Sequence, residues 1–192
     1  MTSQIISLTL KNLKKIGMLR EIPNISEQNA EFLKQLIREK NPKHLLEIGT
    51  ANGYSTLHFS TAISDISDIT TLEQAWNMHN DAVTNFKNCK IKNIHAIWGD
   101  AKLVLPKLAE NFFDFVYIDA MKKEYLQYLL LALPKMTPDA MIVIDDVEKF
   151  RDKMEDLFDY LDGNRVVYQF EKTDIDDSIM ILYKKDFLSI GE

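Results

Sequence analysis

The chain has one cysteine, Cys89, in 192 residues, so no disulfide can form within it, and a reducing compartment such as the cytoplasm is the simplest setting. It also lacks any apolar run near the roughly 20 residues needed to cross a bilayer, which argues against a membrane protein. The opening stretch, MTSQIISLTLKNLKKIGML, places its lysines after the apolar residues and has no small-residue cleavage site, so no secretory signal is expected. Positive charge is not in excess: 23 basic residues against 29 acidic ones give a net charge of -6. That disfavours broad electrostatic binding of nucleic acid, while a local basic patch stays open. Internal repeats, low-complexity tracts and Gly/Ser linkers are absent, as is the full G-x-G-x-x-G dinucleotide fingerprint. What remains, 46% hydrophobic and 27% charged, is ordinary for a soluble globular chain of one domain.

The first 40 residues read as helical. Ile5, Ile6, Leu8, Leu10, Leu13, Ile16 and Leu19 recur at helical spacing. Ile22-Pro23-Asn24 breaks the pattern, and Ser26 is placed to cap a second helix bearing Phe32, Leu33, Leu36 and Ile37. After Asn41-Pro42 short apolar runs alternate with amphipathic stretches. The runs are His44–Ile48, Ile66–Leu72, Ile94–Trp98, Phe113–Ile118 and Met141–Ile144; helices are expected near 54–63, 75–88, 101–109, 122–133 and 147–161. Continuous hydrophobic strands separated by helices imply a parallel sheet covered on both faces. Two final strands, near 165–171 and 178–184, are joined by only a turn and so must be antiparallel. The expected architecture is an α/β, doubly wound, seven-stranded and mostly parallel sheet ending in an antiparallel hairpin. It forms a single domain over 1–192: an N-terminal helical cap over 1–40 and a core over 41–184. Ligands of such sheets bind at the carboxyl ends of the strands.

The most informative stretch is Leu45-Leu46-Glu47-Ile48-Gly49-Thr50-Ala51-Asn52-Gly53-Tyr54-Ser55, in which a strand ends, two glycines follow and a helix begins. Gly49 permits a sharp turn and close approach to a ligand, and Gly53 lets the next helix pack near the strand. Glu73 ends the following strand about 20 residues after Gly53, the spacing at which an acid meets ribose hydroxyls. Gly99-Asp100-Ala101 ends the third strand, where an adenine edge could be read. A tight βα turn and a solvated helix-start acid are the plainer alternatives for the glycines and for Glu73. NAD and S-adenosylmethionine both suit such a cleft, but the sulfonium donor has no pyrophosphate and needs no phosphate-binding nest. With the fingerprint absent, S-adenosylmethionine is favoured.

At this point the sequence resembles the class I methyltransferases, and more closely their catechol O-methyltransferase-like group. Leu46 to Thr56 is similar to that group's first motif nearly residue for residue. Gly99-Asp100-Ala101, the run from Phe113 to Lys122, and Ile142-Val143-Ile144-Asp145-Asp146-Val147 match later motifs in the same order. The resemblance covers about residues 24–184. It implies a donor site built by Glu47, Gly49, Ser55, Glu73, Ala101 and Asp119. It also implies a divalent metal, usually magnesium, on Asp119, Asp145 and Asp146, with Lys122 as the base that takes a substrate hydroxyl proton.

The chemistry is coherent. Asp119 and Asp145 end adjacent strands, and clustered carboxylates there repel one another unless a cation or protons intervene. Magnesium takes oxygen ligands and keeps sites open for substrate. A metal-bound hydroxyl loses its proton more readily and is held for attack on the methyl. A helix N-terminus and the metal would lower the pKa of Lys122, the carboxylates would raise it, and the sum stays open. The plainer readings are a surface lysine and, for Asp145-Asp146, a helix-capping pair.

Some features depart from the family pattern. Asp146 stands where the family has Asn, Asp139-Ala140 replaces a glycine pair, and residues 147–164 read as one helix in place of a substrate-covering insertion. An uncovered site suggests a bulky acceptor, or a lid from the N-terminal helix or from the second subunit of a homodimer. The acceptor is expected to be a small hydroxyl-bearing molecule. The alternatives are a tRNA hydroxyuridine met by Lys11, Lys14, Lys15 and Arg20, a non-catalytic donor-binding module, and, more distantly, a nicotinamide dehydrogenase. His44, His58, His79 and His95 show no ligand spacing, Cys89 reads as an ordinary thiol, Trp98 as core, and Trp76 as either an adenine contact or packing.

Overall fold

The computed structural model describes residues 2–172 and 178–191. Two helices come first, α1 (Thr2–Arg20) and α2 (Glu27–Lys40). Ser26 caps α2 as its residue type predicts, its hydroxyl accepting from the Asn29 N–H at 3.0 Å. Asn41 closes the helix in the left-handed region (φ 49°) with its N–H on the Ile37 carbonyl. Leu33 and Ile37 are fully buried against the sheet, and each such side chain stabilises the fold by roughly 2 kcal/mol. Ile6 and Leu13 of α1 instead pack with Tyr54, Leu57 and Phe86.

The rest of the chain alternates strands and helices: β1 (His44–Ile48), α3 (Tyr54–Ser60), β2 (Asp68–Glu73), α4 (Trp76–Asn88), β3 (Ile94–Trp98), α5 (Ala101–Val104), β4 (Phe113–Ile118), α6 (Tyr125–Ala132), β5 (Met136–Ile144), α7 (Glu155–Gly163), β6 (Gln169–Lys172) and β7 (Ser178–Tyr183). Among the described residues they form a seven-stranded sheet of order β3-β2-β1-β4-β5-β7-β6. β1 to β5 are mutually parallel, and β7 is antiparallel to both β5 and β6. β6 and β7 pair antiparallel as predicted; the residues between them, 173–177, lie outside the described residues. One buried cluster centres on Leu46, Val116, Ile142 and Tyr125; another, on the opposite face, on Leu45, Phe115, Tyr117 and Val143.

Several boundaries differ from the expectation, each for a local reason. Pro106 and Pro134 each occupy an early position in a 3-10 turn, Leu105–Lys107 and Leu133–Lys135, that ends the preceding α-helix. Residues 122–124 form a 3-10 turn before α6. β5 begins at Met136, with a register irregularity opposite Phe113–Phe115 that takes in Pro138, which has no N–H for a regular ladder. The stretch expected as one helix over 147–164 is a helix only from Glu155. Asp146 sits in the left-handed region (φ 62°) and turns the chain across the strand ends, burying Val147.

Chain order reverses between β1 and β4. From β1 the chain works outward through β2 and β3, then crosses to lay β4 and β5 on the other side. The loops leaving β1 and β4 therefore diverge and open a cleft at their carboxyl ends. Among the described residues no helix is long and apolar enough to cross a membrane.

Candidate active site

Gly49 leaves β1 with φ 108°, and a Cβ on it would lie 2.0 Å from the carbonyl oxygen of Asp119. The loops after β1 and β4 touch here, and only glycine fits between them. Gly53, at φ 85°, faces the ring of Phe86, which a Cβ would meet at 2.7 Å; this closes α3 onto α4. The resulting cavity of about 410 Å³ is lined by Gly49, Ser55, Glu73, Gly99, Ala101 and Asp119, with Tyr128, Lys122, Asp146 and Phe150 completing the wall. The Glu73 carboxylate accepts from the N–H groups of Ala51 at 2.9 Å and Ala75 at 2.7 Å, one on each oxygen. Each oxygen keeps a lone pair for a ligand hydroxyl.

Two residues expected to touch the donor stand behind it. Glu47 is fully buried and accepts from Ser55 Oγ (2.6 Å), Thr56 Oγ1 (2.5 Å) and Thr71 Oγ1 (2.6 Å). It braces the glycine loop, and only Ser55 of that set reaches the cavity wall. Burial pushes its pKa up to about 7 despite the three hydroxyls. Asp100 caps α5, accepting from the Lys102 N–H at 2.8 Å, and is not part of the cavity wall. The tryptophans also differ from expectation. Trp98 is 55% exposed, not core, and stacks edge-on against Trp76, which is 56% exposed. Trp98 Nε1 donates to the Gln74 carbonyl, and neither ring lines the cavity.

A second cavity of about 440 Å³ adjoins the first under the connection between α1 and α2. Pro23, Asn24, Ile25, Asp119, Asp146 and Phe150 line both. The connection between the two N-terminal helices thus forms part of the wall between the cavities. Phe150, on the stretch between β5 and α7, supplies part of the far wall.

At the meeting point Lys122 Nζ lies 2.7 Å from Asp119 Oδ1 and 2.6 Å from Asp146 Oδ2 and donates to the Tyr125 hydroxyl at 2.7 Å. The lysine side chain is 14% exposed and that of Asp119 22%. Burial pulls the Lys122 pKa down, but the two carboxylates outweigh it and the net shift is upward. Burial likewise raises Asp119, against the pull of Lys122. The balance of these effects favours the charged ammonium. Asp145 does not face this group. Its carboxylate takes both contacts of Asn29 Nδ2 (3.0 and 2.9 Å), the Tyr117 hydroxyl (2.5 Å) and the Asp146 N–H (2.9 Å). Three donors thus make four contacts, two on each oxygen of the carboxylate. Burial and Asp119 raise it to about 7.

This arrangement does not fit the expected magnesium set. Asp145 has no oxygen to offer while Asn29 and Tyr117 hold it, and an ammonium already stands between Asp119 and Asp146. Among the described residues no group of three His, Cys, Asp or Glu side chains is arranged to hold a metal ion. The residues missed by sequence reading are Asn29, Tyr117 and Phe150. Strand alternation puts Tyr117 on the face of its register partner Glu47, but nothing in sequence links Asn29 to a carboxylate 116 positions away.

A doubly wound sheet with a glycine-cradled cleft at its switch point, and an acid in the wall of that cleft at the end of the second strand, has the form of a nucleotide-type cofactor-binding fold. The comparisons narrow it: the chain belongs to the O-methyltransferase family, whose pattern matches residues 2–180. It is 32% identical over 130 residues to a catechol O-methyltransferase of Mycobacterium tuberculosis, covering 66% of this chain and 59% of that protein. A catechol O-methyltransferase of Niastella koreensis is 31% identical over 128 residues, covering 65% and 58%. The chain thus spans under three fifths of the length of these two curated relatives. The O-methyltransferase from Bacillus cereus, solved in complex with SAH, superposes with a TM-score of 0.81 at 23% identity, covering 91% and 90% of the two chains. TomG from Streptomyces achromogenes, in complex with SAM, gives 0.78 at 21%, covering 91% and 89%. At those identities the likeness is one of fold.

Proposed function

We propose that the protein transfers a methyl group from S-adenosylmethionine to a hydroxyl of a small acceptor, the donor occupying the cleft between β1 and β4 and the acceptor the adjoining cavity. The observation that carries this reading is the Asp119–Lys122–Asp146 group: the two carboxylates line both cavities, and Lys122, in the wall of the first, is paired with both of them. Relatives named for catechol and caffeoyl-CoA favour a phenolic hydroxyl.

S-adenosylmethionine supplies an electrophilic methyl on a sulfonium centre. Glu73 accepts from the ribose hydroxyls, the Gly49 turn admits the close approach, Ala101 and Gly99 border the base, and Asp119 places negative charge near the cation. Glu47 positions the loop through Ser55 and Thr56 without touching the donor. Asp119 takes the acceptor proton, since burial has already raised its affinity for one. Lys122 stays charged and stabilises the developing oxyanion, as a preorganised cation does in a partly dry site. This differs from the expected roles, in which Lys122 was the base and Asp119 a metal ligand near the donor: here the lysine is the electrostatic partner and the aspartate the base. Asp145, saturated by Asn29 and Tyr117, ties α2 to the rim and so holds the roof over the acceptor. No step is assigned to a divalent ion. The expected set of Asp119, Asp145 and Asp146 would require Asn29, Tyr117 and Lys122 all to let go.

Calorimetric titration with S-adenosylhomocysteine tests the first part; absence of binding at millimolar concentration refutes the methyltransferase reading. Turnover of a catechol panel in excess chelator tests the second. Activity is expected to survive, and loss restored by magnesium would return the metal to Asp119, Asp145 and Asp146.

A further inference from the structure

α1 and α2 both pack on α3, and a groove of about 740 Å³ runs between them. It is separate from the proposed catalytic residues and falls in the size range of small-molecule sites. Its floor is apolar: Ile6 and Leu10 from α1, and the buried ring of Tyr54 from α3. Its rim is basic. Lys11, Lys14 and Lys15 come from α1, and Lys34 and Arg38 from α2, against only Glu27 and Glu31. Glu27 is taken by Lys14 at 2.8 Å and Glu31 by Lys34 at 2.5 Å. Among the described residues Lys11, Lys15 and Arg38 have no ion-pair partner. The helix α1 carries no acidic residue at all, although the whole chain carries a net charge of -6. This is the local basic patch that the overall charge left open. Arg20, the fourth cation expected with it, is not among its lining residues and pairs instead with Asp81 at 2.6 Å.

His58 supplies the second observation. It is 8% exposed, lines this groove, and neither of its ring nitrogens has a hydrogen-bond partner. A buried polar atom left unmatched costs about 1–3 kcal/mol, so native structures rarely keep two on one side chain without a use.

We propose that this groove binds a small amphiphilic anion, with an apolar body on Ile6, Leu10 and Tyr54 and a carboxylate or phosphate among Lys11, Lys15 and Arg38. The apolar floor separates it from a site for a bare anion, and its concave shape between α1, α2 and α3 suits a single small ligand.

The test uses the full chain and anilinonaphthalene sulfonate, an aromatic anion whose fluorescence rises in apolar surroundings. Decanoate and decyl phosphate should both displace it, and their ratio tells which head group the rim prefers. Inorganic phosphate alone should not. The double charge reversal K15E/R38E should weaken decanoate at least tenfold, and L10W, which narrows the floor and leaves the charge alone, at least fivefold. Both variants should keep wild-type binding of S-adenosylhomocysteine, which certifies the fold. Undiminished decanoate binding by K15E/R38E overturns the proposal, as does displacement by phosphate as strong as that by decanoate. Binding to phosphatidylglycerol vesicles without displacement by decanoate also overturns it, in favour of a membrane-facing patch.

Discussion

Replacing Glu47 by Gln separates a residue that braces the site from one that touches the donor. Glu47 is fully buried with three hydroxyl donors, and burial lifts its pKa from 4.5 to about 7. The folded chain therefore holds this proton where the unfolded chain has lost it. Between pH 4.5 and 7 the native state binds more protons, so its stability falls as pH rises through that window and the penalty is complete above it. A rise of that size corresponds to roughly 3 kcal/mol, of which roughly 2–3 kcal/mol falls between pH 5 and 8. Gln carries no charge to desolvate, and its amide can donate to Thr71, whose hydroxyl lies 2.5 Å from that of Thr50 and can turn to it. Urea unfolding of both proteins at pH 5 and pH 8 gives the measurement. The wild type should lose roughly 2–3 kcal/mol more than E47Q over that interval, at similar m-values. Binding of S-adenosylhomocysteine to E47Q should stay within about threefold at pH 8, a change of under 1 kcal/mol. The same pH slope in both proteins would sink the burial argument, and a tenfold loss of affinity would return Glu47 to the donor.

Other outcomes follow from the same geometry. Lys122→Met should lower turnover by about 100-fold or more while leaving S-adenosylhomocysteine affinity nearly unchanged; a variant rescued by raising pH would mean the lysine had been the base. Gly49→Ala should cost on the order of 3 kcal/mol from the backbone strain at φ 108° alone, and should abolish donor binding because the Asp119 carbonyl must move. Circular dichroism and calorimetry on G49A check both parts, and wild-type behaviour in either refutes the contact. His58, whose pKa burial lowers from 6.5 to about 4, makes stability fall as pH drops from 6.5 toward 4, because the unfolded chain takes up the proton first. His58→Phe should flatten that acid limb in thermal melts, and an unchanged limb would mean the imidazole titrates freely.

The sequence alone determined the plan of the molecule. Continuous apolar runs such as Phe113–Ile118, spaced by amphipathic stretches, can only be buried in a parallel sheet covered on both sides. Gly49 follows the end of β1 and Glu73 ends β2, as their residue types and spacing predicted. These are local signals, written in spacing and residue type. Tertiary structure decided what the carboxylates do. Glu47 and Ser55 lie eight residues apart and share a motif, yet Glu47 is buried among the hydroxyls of Ser55, Thr56 and Thr71 while Ser55 also reaches the cavity wall, because the Gly49–Gly53 loop folds the start of α3 back over the end of β1. Asp145 and Asp146 are neighbours with the same side chain. The left-handed turn at Asp146 aims one at Lys122, while strand packing leaves the other to Tyr117 of the adjacent strand and Asn29 of a helix formed more than a hundred residues earlier. A carboxylate binds whichever donors the packed fold brings within 3 Å, and that choice depends on contacts distant in sequence.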